Sequence, residues 1–162
     1  MQEIEMEKVV INCGAVGEEL EKSARLLKII SGMTALKTKS RKRIPAFDVR
    51  PGLETGCKVT LRKKKTEEVL KRLLEAINNQ ISEEQISGDG FSFGIPEYIE
   101  IPGMEYHRDI GIMGLDVTVV FKRYGRRVGL KKIKRGKVSK RQIISQQEII
   151  KFMEDNFQTQ FK

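Results

Sequence analysis

Histidine is nearly missing from this chain: among 162 residues His107 is the only one. It lies in EYHRD, beside acids, with no cysteine or second histidine nearby. A metal site or a Ser-His-Asp triad would have to assemble around that single ring, so no metal, catalytic residue or cofactor is expected. Cysteine is scarce as well. Cys13 and Cys57 cannot make a disulfide framework. Both sit in apolar alternating runs and read as reduced core thiols, a disulfide between adjacent strands being the alternative. No run approaches eighteen apolar residues, which excludes a spanning helix, and the basic residues do not fall on one face of an amphipathic helix, so no membrane partner is expected. The opening MQEIEMEKVVINC is acidic and then strand-like, without the basic and apolar regions of a signal peptide, so a cytoplasmic protein is expected. Two glycine-bearing stretches only imitate nucleotide motifs. In GLETGCKVT (52–60) the glycine spacing is wrong, and a strand follows where phosphate binding needs a helix N-terminus. Residues 87–94 read as a glycine-punctuated turn, and the GDGFSFG within them (88–94) does not lie between a strand and a helix of a parallel unit.

Positive charge is what the chain has, in two places. Its net charge is +9. Residues 36–65 hold eleven Lys or Arg against two acids, and residues 122–141 hold eleven against none, which leaves −11 for the remainder. Such blocks repel themselves and need a polyanion or full solvation. Two of them on an otherwise acidic chain favour the polyanion, and nucleic acid fits. The densest stretch is KTKSRKRIPAFDVRPG (37–52): six cations, the single acid Asp48, two prolines, and Phe47 alone between them. Pro45 and Pro51 lower the entropy cost of holding a long loop extended. Phe47, like Tyr124 in the second window, can stack on a base or sugar, or pin its own loop as a hydrophobic anchor.

The patterning predicts one domain over residues 1–162, with a basic C-terminal extension at 122–162. Residues 8–13 read as a strand, and 18–31 as a helix with acids in its first turn and Gly32 as its stop. A short strand is predicted at 35–39. Residues 56–62 alternate, with Cys57, Val59 and Leu61 on one face and Lys58, Thr60 and Arg62 on the other. Thr66 is the expected N-cap of a second helix whose stripe runs from Leu70 to Ile81. Residues 98–101 are predicted as a short edge strand between Pro96 and Pro102. Residues 115–122 alternate again. Ser145 and Glu148 form a capping box that opens a last helix. One-sided strands and amphipathic helices in this order predict an α+β fold: a mostly antiparallel sheet with helices on one face. The other face, bearing Asn12, Lys58, Thr60, Arg62 and Thr118, is then a platform for RNA phosphates and 2′-hydroxyls.

These stretches resemble a known family. EKVVINCGAVGE, KTKSRKRIPAFDVRPG, GCKVTLR, GFSFGIPEYIEIPG and DIGIMGLDVTV, in this order over about residues 8–121, are similar to the large-subunit ribosomal protein family that binds 5S rRNA, universal family five, in its archaeal type. The resemblance implies that the open sheet face sits on 5S rRNA through Asn12, Thr38 and Thr60. Lys58 and Arg62 join them on the alternation alone. It implies that the long loop, residues 41–53, reaches P-site tRNA through Arg41, Lys42, Arg43 and Arg50, with Phe47 near the tip. The second window is expected on large-subunit rRNA through Arg126, Arg127, Lys131 and Lys132, among neighbouring large-subunit ribosomal proteins. The sequence departs from the family twice. SGMTAL (31–36) stands where many relatives have a glutamine-lysine-proline run, so Met33 cannot supply that polar contact, and Asp48 puts a negative charge in a loop meant for phosphates. The alternative reading is a general nucleic-acid-binding protein outside the ribosome, though no recognition helix with a basic face appears.

Overall fold

The computed structural model describes residues 3–162. The elements run β1 (Ile4–Gly14), α1 (Glu18–Ser31), β2 (Leu36–Lys39), β3 (Glu54–Leu61), α2 (Lys64–Ala76), β4 (Gln80–Ile81), β5 (Ile86–Ser87), β6 (Gly90–Ile95), β7 (Leu115–Arg123), α3 (Arg127–Leu130), α4 (Gln146–Phe157) and β8 (Gln160–Phe161). Six strands form an antiparallel sheet in the order β2-β3-β1-β7-β6-β5, while β4 and β8 pair in parallel as a separate ribbon. The fold is α+β, as the patterning predicts.

Alternation explains the layering. Val9, Ile11 and Cys13 of β1, Cys57, Val59 and Leu61 of β3, Val117, Val119 and Phe121 of β7, and Phe91, Phe93 and Ile95 of β6 all face one way and are buried. Leu20, Leu26, Leu27 and Ile30 of α1, Leu70, Leu73 and Leu74 of α2, and Ile149 and Met153 of α4 close over them in one cluster. Phe152 of α4 meets Phe121 edge to face at 5.4 Å. The helix ends follow their capping chemistry. Gly32, in the left-handed region at φ 65°, donates to the Lys28 carbonyl at 2.8 Å. At α4, the Ser145 N–H donates to the Glu148 carboxylate at 2.9 Å, completing the capping box. Cys13 and Cys57 lie directly opposite one another on β1 and β3, buried and unbonded. Burial pushes both thiols up, Cys57 to about 11.

Four local expectations are corrected. The second helix opens at Lys64, so Thr66 lies inside its first turn; its hydroxyl is buried without a partner instead of capping the backbone. Asn78 and Asn79 take left-handed φ values of 54° and 56°, which residues of this kind tolerate, and end that helix. Ile81 therefore belongs to β4, opposite Phe161. Residues 87–94 are a hairpin: Gly88 (φ 60°) and Asp89 form the two-residue turn, and Gly90 and Gly94 are residues of β6. Residues 98–101 are no edge strand. Tyr98–Glu100 is a single 3-10 turn that tucks Tyr98 into the core, where its hydroxyl accepts from the His107 N–H at 3.0 Å.

Candidate nucleic-acid interface

The sheet face away from the helices is uncovered, and strand register sets what lies on it. One row runs Leu36, Lys58, Asn12, Asp116 and Gly94 across β2, β3, β1, β7 and β6. The next runs Thr60, Val10, Thr118 and Ser92, and the Ser92 and Thr118 hydroxyls are 3.1 Å apart. On the other side Thr38 sits opposite Gly56, to whose carbonyl it donates at 3.0 Å. A Cβ on Gly56 would stand 3.0 Å from the Cys13 carbonyl and 3.3 Å from that hydroxyl, so glycine here leaves Thr38 in place. The structure thus brings Asn12, Thr38, Lys58 and Thr60 together. Arg62 lies just past the end of β3, where Glu7 holds it at 3.7 Å. Asp116, directly across from Asn12, puts a carboxylate in the same row; it accepts from amino or hydroxyl groups and repels phosphate. Ser92 escapes the sequence reading because the glycines around it signal a turn.

The first basic loop is a closed hairpin. Its neck is tied by Ser40 N–H to Leu53 O (2.8 Å) and Gly52 N–H to Ser40 O (2.9 Å). Its tip is tied by reciprocal bonds between Ile44 and Val49, at 2.9 and 3.1 Å, around the 3-10 turn Pro45–Phe47. Asp48 occupies the left-handed region at φ 50°. Arg41, Lys42, Arg43 and Arg50 are exposed, and none has an ion pair among the described residues. Phe47 is 75% exposed and Val49 only 7%, so it is Val49 that pins the hairpin.

The second window is organised differently. Arg123, only 8% exposed, donates to Arg141 O at 2.9 Å and to the Glu148 carboxylate at 2.5 Å. Arg126 pairs with Asp89 at 2.6 Å and donates to Phe121 O at 3.3 Å. Arg127, Lys131 and Lys132 are exposed and free of ion pairs among the described residues. The Ser145 N–H, with help from Arg123, holds the Glu148 carboxyl below its ordinary value. Among the described residues no three His, Cys, Asp or Glu side chains gather as a metal site, and no helix is long and apolar enough to cross a membrane.

Fold and surface together define an α+β protein with a bare polar sheet face and two cationic loops. Residues 1–50 match the family model for ribosomal protein L5, and residues 54–152 match the model for that ribosomal family's C-terminus. The chain is 42% identical to large ribosomal subunit protein uL5 of Nanoarchaeum equitans, over 99% of this chain and 96% of that one. It is 39% identical to the protein of the same name from Methanobrevibacter smithii, over 99% and 96%, and 41% identical to that from Pyrobaculum aerophilum, over 95% and 88%. This chain belongs to the ribosomal protein L5 family.

Proposed function

We propose that the chain is a structural, non-enzymatic constituent of the large ribosomal subunit in the cytoplasm, and that its open sheet face binds 5S rRNA. The observation that carries the second part is the convergence of Asn12, Thr38, Lys58 and Thr60 on the uncovered face, drawn from three strands. Hydroxyl, amide and ammonium groups side by side suit phosphates and 2′-hydroxyls. Arg62 adds charge at the margin once phosphate displaces Glu7, whose 3.7 Å contact is long for a charge-assisted hydrogen bond. The hairpin at 41–53 offers Arg41, Lys42, Arg43 and Arg50 to a second RNA, P-site tRNA, with Phe47 placed to stack on it.

Binding to 5S rRNA is expected to be salt-sensitive and tighter than to tRNA or duplex DNA, measured by filter binding or fluorescence anisotropy. Equal affinity for all three would sink the 5S reading. Replacing the four hairpin cations with Ala is expected to spare 5S rRNA binding and to weaken tRNA retention on assembled ribosomes. Loss of 5S rRNA binding in that variant would show that the two surfaces are divided wrongly.

A further inference from the structure

We infer that Arg123 and Arg126 position the second basic loop instead of touching RNA, and that phosphate contact there falls to the cations nearest its tip, Lys131, Lys132, Lys134 and Arg135. This rests on the RNA-binding reading above and specifies how one of its two basic windows is held.

The two arginines bracket the loop at its base. Arg123 ends β7, and its guanidinium reaches the carbonyl of Arg141, so it joins the residues on either side of 124–140. The same guanidinium binds Glu148, which ties the neck to the first turn of α4. Arg126, in the turn that follows β7, fixes the outgoing segment to Asp89, in the β5–β6 turn, and to the carbonyl of Phe121. Between these brackets the loop closes on itself. Gly136 N–H donates to Val128 O at 3.1 Å, and a Cβ on Gly136 or Gly129 would come within 2.6 or 2.8 Å of Val128 or Val138. What projects beyond that closure is residues 129–135, which turn at Lys134 (φ 52°) and carry Ile133 at 81% exposure. The four tip cations have no ion pair among the described residues. A phosphate that reached Arg126 would have to displace a carboxylate already 2.6 Å away; at the tip it displaces only water.

Removing an acid next to an RNA site normally tightens RNA binding, and this gives the test its sign. The full chain is titrated with transcripts of 5S rRNA and of the large-subunit rRNA across a KCl series. Asp89→Asn and Arg126→Gln are each expected to weaken binding about threefold or more at fixed salt with the salt slope unchanged, and their combination is expected to be no worse than either alone. Lys131→Gln with Lys132→Gln is expected to reduce the slope by about two. Hydrogen exchange separates loosening from unfolding: the Gly136 amide should exchange faster in Asp89→Asn while β1 and β7 stay protected. If that variant unfolds, the swapped pair Asp89→Lys with Arg126→Glu re-forms the ion pair, though not the bond to Phe121 O, and is expected to recover part of the lost binding. Tighter or unaltered binding in Asp89→Asn, or no recovery in the folded swapped pair, overturns the inference alone. A wild-type chain that binds neither RNA overturns the RNA-binding reading beneath it.

Discussion

Asp48 is an acid among six cations, and its backbone explains it better than its charge. It follows the 3-10 turn at the hairpin tip with φ 50°, a conformation that Asp and Asn adopt more readily than most residues. Gly90 is a sharper case, because a Cβ there would stand 2.1 Å from the Val119 carbonyl oxygen. Gly90→Ala must push β6 off β7, and we expect it to cost about 3 kcal/mol in urea unfolding, the upper part of the usual overpacking range. Glu148 gives stability a pH dependence. The Ser145 N–H, and behind it Arg123, favour its ionised form in the folded state and lower its pKa. Its contribution is therefore complete above the ordinary glutamate range and is lost as pH falls through that range to the lowered value. Thermal melts of wild type and Glu148→Gln should differ near neutrality and converge as the pH is lowered into the acid range. A constant gap would show that the carboxylate is not the responsible group.

Elements are legible in a sequence where local pattern and tertiary packing agree. The helix at 18–31 is found as expected, since its acids, apolar stripe and stop glycine all act locally. The strand expected at 115–122 is found at Leu115–Arg123, and the capping box at Ser145 is present. β6 is illegible because glycine reads as a turn signal, whereas Gly90 is needed for close approach to β7, a long-range fact. The 3-10 turn at Tyr98 is illegible for a similar reason: the flanking prolines announce a break but not that a Tyr hydroxyl is satisfied inside. On the interface, alternation identifies Lys58 and Thr60. Only register reveals that Asn12 lies beside Lys58 and that Asp116 shares their row. Charge counting places the second window but cannot tell Arg126, paired with Asp89, from Lys131, which has no ion pair among the described residues. The terminal helix adds an element-scale prediction. Ile149 and Met153 are fully buried. Met153→Ala should cost about 3 kcal/mol by removing buried volume, read as a lower urea midpoint with an unchanged slope.

At the scale of the whole molecule, the division of charge sets the proposed RNA-binding side apart from the rest. The remainder outside the two windows carries −11, and many of its acids are exposed on the helices: Glu18, Glu19 and Glu21 on α1, Glu67, Glu68 and Glu75 on α2, Glu154 and Asp155 on α4. Those helices cover the sheet face opposite Asn12 and Lys58. A layer of packed helices is about 10 Å thick, more than the screening length of about 8 Å at physiological salt. The helical acids would therefore barely weaken the proposed phosphate contacts on the open face, yet they repel any polyanion that approaches from behind. Reversing Glu18, Glu21, Glu67 and Glu68 to Lys should leave 5S rRNA affinity within about twofold at physiological ionic strength. The same variant should bind duplex DNA about tenfold or more tightly than wild type, with a steeper salt slope, because a second cationic surface has been made. Anisotropy titrations against both ligands decide it. Selectivity for 5S rRNA that survives the reversal would mean that shape on the sheet face, and not the acidic back, keeps other nucleic acids away.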